Sequence, residues 1–74
     1  MNIKEFAKEK KLTRYYLAAL FGVHPITVSR WIDEGHMPTG KHVKQIIKKS
    51  DGLITVKDMT YYALSKKLSS LKKP

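Results

Sequence analysis

Four residues at fixed spacing constrain the fold of this chain more than any other feature: Ala18, Gly22, Val28 and Trp31. A small residue such as Ala18 lets two helices cross closely. A glycine four positions later allows the left-handed backbone that commonly ends a helix. Val28 and Trp31 lie three positions apart, on one face of a second helix. The spacing therefore predicts two short helices joined by a tight turn, which is a helix-turn-helix.

Capping residues indicate where these two helices begin. Thr13 fits the N-cap of the first helix, and His24-Pro25 fits the N-cap and first position of the second, where proline is tolerated. Gly35 is expected to stop the second helix. In the first helix, Tyr16 is expected to share an apolar stripe with two leucines. The apolar residues expected to pack around the crossing are Phe6, Leu17, Leu20, Val23 and Ile32.

Three further helices are predicted outside this pair. Asn2 and Glu5 resemble a capping box before a helix over residues 3–10. Thr39 fits the N-cap of a fourth helix that ends at Asp51-Gly52, and Thr55 fits the N-cap of a fifth. Two apolar faces complete these helices: Val43, Ile46 and Ile47, then Val56, Met59 and Ala63. The sequence predicts an all-α, five-helix domain over residues 1–60, followed by a basic tail or helix extension over 61–74.

The composition favours a binding protein over an enzyme. The 74 residues carry a formal net charge of +9, with six basic and four acidic residues in 1–34 against nine basic and two acidic in 35–74. Such an excess favours a polyanionic partner. The absence of cysteine and of long apolar runs predicts a cytoplasmic protein without membrane contact. No nucleophile motif, phosphate loop or metal-ligand spacing is present, so we expect no catalysis, no cofactor and no metal.

The outward face of the second helix of the pair supplies the candidates for reading DNA bases. Arg30 is the strongest, because its guanidinium can hold O6 and N7 of a guanine together. Ile26 fits a thymine methyl group. Thr27, Ser29 and Pro25 share the part of the helix that enters a major groove. The alternatives are that Arg30 is a surface arginine without a readout role, and that Ile26 is a partly covered packing residue.

The flanks of the motif supply the candidates for binding DNA phosphates. They are basic or hydroxyl-bearing residues at the starts of predicted helices, where backbone amides also favour an anion. The set is Arg14, His24, Thr39, Lys41 and His42. Such contacts position a protein on a duplex without reading its sequence. Three other lysines of the fourth helix, Lys44, Lys48 and Lys49, are expected to be solvent-facing only.

Beyond the register described above, three stretches support a family resemblance: Trp31-Ile-Asp-Glu-Gly-His-Met-Pro38, Val43-x-x-Ile46 and Ser50 to Met59. With them, the chain resembles the Cro/C1-type, lambda-repressor-like helix-turn-helix regulators of phages and bacteria over residues 3–59. The resemblance implies a five-helix domain that binds a palindromic operator in duplex DNA, usually as a homodimer, and acts as a transcriptional repressor. Its DNA contacts would fall on Arg14, His24, Pro25, Ile26 and Arg30. The family often has Gln or Ser at the positions that here hold Pro25 and Ile26, so base reading would depend more on Arg30, Thr27 and apolar contact.

Three other interpretations remain open from the sequence. Residues 22–38 also resemble the winged domains of excisionases and MerR-type regulators, although residues 40–49 have helical spacing where a β-wing would follow. A DNA-binding antitoxin would use the same fold, with a toxin bound by a tail containing Tyr61, Tyr62, Leu64, Leu68 and Leu71. A small phage protein that binds another protein would also use it, because fold alone does not decide function.

Overall fold

Five helices and no strand make up the part of the chain that the structure describes. A computed structural model describes the backbone of residues 1–71 and the side chains of residues 1–69. The helices are α1 (Ile3–Lys10), α2 (Arg14–Phe21), α3 (Pro25–Asp33), α4 (Gly40–Lys49) and α5 (Val56–Leu71). The predicted all-α, five-helix class is confirmed. Of the predicted tail, the Leu71 side chain and residues 72–74 lie outside the described part.

The predicted helix starts are confirmed for the first three helices and for the fifth, whose Thr55 hydroxyl accepts a hydrogen bond from the N–H of Asp58 at 3.1 Å. Asn2 and Glu5 form the capping box in both directions, at 2.8 and 2.9 Å. The Thr13 hydroxyl accepts a hydrogen bond from the backbone N–H of Tyr16 at 3.1 Å. His24 Nδ1 accepts from the N–H of Ile26 at 3.2 Å, with proline as the first residue of α3. Each bond pairs an amide that the first turn of a helix otherwise leaves unpaired.

Thr39 is the exception among the predicted caps. It occupies the N-cap position of α4 but makes no side-chain capping bond there. Its hydroxyl instead lies 3.2 Å from Nδ1 of His42, one turn into the helix. The predicted N-cap position at Thr39 is therefore confirmed, but the capping hydrogen bond is not formed, since the hydroxyl is directed at the imidazole.

The core is a single apolar cluster beneath the α2–α3 pair. Its buried members are Ile3, Phe6, Leu17, Ala18, Phe21, Val28, Trp31, Ile32, Ile46, Ile54 and Met59. Phe21 lies at its centre, with ring centroids 6.4 Å from Phe6 and 6.5 Å from Trp31. The Ala18 and Val28 positions predicted for the crossing are both buried, and Gly22 has the left-handed φ of 71° that the turn requires.

Two predicted core positions are wrong. Tyr16 is 57% exposed and Val56 is also exposed. The buried face of α2 is made by Leu17, Ala18 and Phe21, so it is rotated from the stripe predicted through Tyr16. The buried face is rotated because α2 is covered mainly on the side where it crosses α3. In a helix of eight residues, only a few positions lie on that side.

Helix α5 is attached to the carboxyl end of α3. The Tyr62 hydroxyl donates a hydrogen bond of 2.6 Å to the carbonyl oxygen of Ile32, one of the last carbonyls of α3 that have no partner within the helix. Burial raises the pKa of Tyr62, and the nearby Asp33 adds to the rise. Gly35 (φ 70°) follows α3, and a Cβ atom there would collide with Cβ of Lys66. Helix α5 therefore passes directly over the end of α3.

Replacing Tyr62 by phenylalanine removes only the hydroxyl and leaves the Ile32 carbonyl without that partner. We expect a loss of about 0.5–1.5 kcal/mol in the free energy of unfolding, the usual net value of such a bond. Urea unfolding followed by far-UV circular dichroism measures it. Tyr61→Phe is the matched control, because the Tyr61 side chain is exposed and forms no hydrogen bond with the described residues. Equal stability of the two variants would show that the 2.6 Å contact stabilises nothing.

Candidate nucleic-acid interface

Helix α3 has one buried face and one exposed stripe. Val28, Trp31 and Ile32 are buried against the core. Ile26, Arg30 and Asp33 are exposed, and their spacing of four and three residues places them along one side of the helix. Ile26 is 53% exposed although it is apolar, so the core does not account for it. This stripe is the part of α3 that could contact the groove of a partner.

The remaining candidates for base reading lie beside this stripe. Pro25, Thr27 and Ser29 are each half-buried. Ser29 is additionally engaged within the protein, because its hydroxyl accepts a hydrogen bond of 3.1 Å from Arg14. Among the five residues predicted to read bases, Ile26 and Arg30 are therefore the most accessible.

A shallow notch joins the starts of α2 and α3. It has a volume of about 460 Å³ and is lined by Arg14, Tyr15, His24, Pro25, Ile26 and Ser29. Two predicted phosphate-binding residues, Arg14 and His24, thus lie together with three predicted base-reading residues. Tyr15 is 77% exposed and was not predicted. Its place next to Arg14 at the start of α2 is the sequence signal that would have identified it.

Arg14 is held by two residues of α3. Its Nη1 and Nη2 atoms donate to the two carboxylate oxygens of Asp33 at 2.6 and 2.9 Å, and Nη1 also donates to the Ser29 hydroxyl. The hydrogen bonds between Arg14 and Asp33 raise the pKa of Arg14 and hold the pKa of Asp33 below its usual range. The Arg14 guanidinium is therefore engaged by two side chains of α3.

A second group of candidates lies at the start of α4. Thr39 and Lys41 are exposed, and His42 is half-buried. The His42 ring lies 5.8 Å from that of Trp31, tilted by 57°, and its Nδ1 meets the Thr39 hydroxyl. The contact with Trp31 connects this group to the inner face of α3. Thr39, Lys41 and His42 therefore form a polar flank separate from the notch.

No group of three or more metal-binding side chains is found among the residues that the structure describes. Within residues 1–71, no helix combines the length and the low polarity needed to cross a membrane. The winged alternative requires β-strands after residue 38, whereas residues 40–49 form α4. The described part of the chain thus continues after residue 38 with a helix and not with a β-wing.

The compact five-helix arrangement, with α2 crossing α3 at Gly22, defines a lambda-repressor-like helix-turn-helix domain. A family model described as "Helix-turn-helix" matches residues 3–49, which is more than half of the chain. The chain belongs to this family, the Cro/C1-type helix-turn-helix proteins. No curated protein and no solved structure matches the chain. The family is one of DNA-binding domains and is not typically enzymatic.

Proposed function

We propose that this protein is a sequence-specific transcriptional regulator, a Cro-like repressor of the phage type that reads operator DNA with α3 in the major groove. The observation that carries the proposal is the exposed stripe of Ile26 and Arg30 on a helix whose other face is fixed in the core. A rigid helix with an accessible arginine and an accessible apolar side chain has what direct readout needs. Repression would follow from occupying a promoter.

Arg30 is assigned the main base contact, a bidentate hydrogen bond to guanine. Ile26 is assigned an apolar contact with a thymine methyl group. Pro25 would add apolar contact at the start of the helix, while Thr27 and Ser29 would make secondary contacts, since they are half-buried. Only Arg30 among these five carries a charge and a guanidinium fork. The specificity of the protein therefore depends most on this residue.

Phosphate contacts are assigned to both flanks of α3. Arg14 and His24 would bind the backbone at the notch, where His24 caps the helix that enters the groove. Lys41 would bind it at the other flank, with Thr39 and His42 beside it. These contacts fix the register of the domain on the duplex and supply its salt-dependent affinity.

A palindromic operator read by a homodimer is the arrangement we propose. Two copies of α3 would then enter half-sites about 34–36 Å apart, one turn of the duplex. We assign DNA binding to residues 1–60 and association to residues 61–74, where Leu64 and Leu68 of α5 are exposed. The same exposed side chains favour, as a second candidate, an antitoxin-type or other protein partner on α5. The cytoplasm is the proposed location.

Selection of bound duplexes from a random DNA pool, repeated at two salt concentrations, tests the function. We expect a two-fold symmetric sequence that is still recovered at the higher salt, because base contacts survive screening better than phosphate contacts. Recovery of unrelated sequences, with binding lost at the higher salt, would contradict a sequence-specific regulator and leave only the effect of a basic surface.

Replacing Lys41 by alanine tests the second flank. We expect weaker binding to all duplexes. We also expect the slope of log K against log salt concentration to be shallower by about 0.9, which is the value of one phosphate contact. Lys44→Ala is the matched control, because it removes one exposed charge from the same helix. Fluorescence anisotropy titrations over a range of salt measure both slopes. Equal slopes in the two variants would remove Lys41 from the interface.

A further inference from the structure

One acidic side chain lies on the exposed stripe of α3, and it is bound to an arginine of the notch. Asp33 accepts two hydrogen bonds from Arg14, and Ser29, one turn earlier, accepts a third. The two partners lie 19 residues apart in the sequence and on different helices. The contact therefore depends on the way α2 crosses α3 and does not arise within one helix.

The position of Asp33 has a cost that its partner offsets. A carboxylate in the last turn of a helix opposes the helix dipole, and one on a DNA-facing stripe also repels phosphate. Asp33 is exposed and covers no core. Its carboxylate is hydrogen-bonded to Arg14, and a carboxylate offers this guanidinium the same two-oxygen geometry that a phosphate offers.

We propose that Asp33 is a positioning residue that occupies Arg14 in the place of a DNA phosphate and thereby limits the affinity of the domain for duplexes of unrelated sequence. This inference rests on the proposed DNA-binding function. The chain carries a net charge of +9, so sequence-independent attraction to DNA is its default behaviour. When Arg14 is paired with Asp33, one of the two arginines of the chain no longer contributes to the sequence-independent attraction to DNA.

The exposure of the pair makes the exchange with phosphate feasible. The Arg14 and Asp33 side chains keep 44% and 57% of their surface in solvent. An exposed ion pair is weak, because water screens it and both side chains lose freedom in forming it. A phosphate placed beside Arg14 by full docking of α3 would therefore displace the carboxylate, whereas a loosely bound duplex would leave the pair closed.

Asp33→Asn tests the inference on a short duplex of mixed sequence. We expect tighter binding than wild type at low salt and a salt slope steeper by about 0.9, so that affinity falls about 3.5-fold further between about 50 and 200 mM salt. Glu34→Gln is the matched control: it removes the neighbouring exposed carboxylate, which makes no bond to Arg14. A slope and affinity for Asp33→Asn equal to those of Glu34→Gln, or weaker binding than wild type, would overturn the inference.

A double-mutant cycle with Arg14→Met separates the effect from general charge. If Asp33 acts through Arg14, adding Asp33→Asn to the methionine variant leaves the salt slope unchanged. A steepening that persists without the arginine would overturn the inference. Thermal melting confirms that each variant is folded, and a structural defect would weaken binding without steepening its slope. Failure of the wild-type chain to bind any duplex would reject the proposed function as well, whereas wild-type binding with an inert Asp33 rejects the inference alone.

Discussion

Replacing Phe21 by alanine is expected to destabilise the fold severely. Phe21 is almost fully buried, between the rings of Phe6 and Trp31. Truncating such a phenylalanine costs about 3–5 kcal/mol, because the lost burial is accompanied by a cavity. A chain of 74 residues has a total stability of about 4–11 kcal/mol. We therefore expect a large unfolded fraction at 37 °C, measured by urea unfolding.

Tyr16→Ala provides the control for this prediction on the same helix. Tyr16 is larger than phenylalanine but 57% exposed, so its truncation is expected to change the free energy of unfolding by about 0.5 kcal/mol or less. A loss for Tyr16→Ala as large as that for Phe21→Ala would contradict the burial of α2 through Leu17, Ala18 and Phe21. The pair of variants thus tests the rotation of α2 directly.

Replacing Arg30 by alanine is expected to have the largest effect on sequence recognition. A bidentate arginine–guanine contact contributes about 1–3 kcal/mol of discrimination, which is about 5- to 150-fold in relative affinity. We expect the selected operator to lose its preference at one base pair in each half-site and to keep it elsewhere. Competition between the selected site and a duplex altered at that base pair measures the change.

Arg30→Lys separates base reading from charge in the same experiment. Lysine keeps the positive charge but lacks the planar fork. We expect the lysine variant to bind duplexes of mixed sequence as the wild type does, while its preference at that base pair falls. If Arg30→Ala retains both affinity and sequence preference, α3 does not dock with the exposed stripe in the groove, and the assigned orientation is wrong.

The local signals in this sequence predict the helices well. The Asn2–Glu5 box, Thr13, His24-Pro25 and Gly22 all act within four residues of the feature they define, so they can be identified without knowledge of the fold. Packing direction is different. The burial of Phe21 and the exposure of Tyr16 depend on where α3 crosses α2, which an eight-residue helix does not encode in its own periodicity.

In the candidate site too, features set within one helix could be predicted, and contacts between helices could not. The exposed positions of Ile26 and Arg30 follow from the burial of Val28 and Trp31, because opposite faces of a helix are fixed together. The bond between Arg14 and Asp33 could not be predicted, since it joins residues of different helices at a distance set by the crossing. The contact of His42 with Trp31, and its use of the Thr39 hydroxyl, likewise depend on how α4 packs.

The hydrogen bond from Tyr62 to Ile32 has a thermodynamic consequence for anything that binds α5. This bond and the close approach at Gly35 connect α5 to the last turn of α3, the helix proposed to enter the groove. A partner that displaced α5 would break this hydrogen bond and change the free energy with which α3 binds DNA. By linkage, DNA would change the affinity for that partner by the same factor. The Tyr62 hydroxyl would thus couple binding of a partner at α5 to binding of DNA at α3.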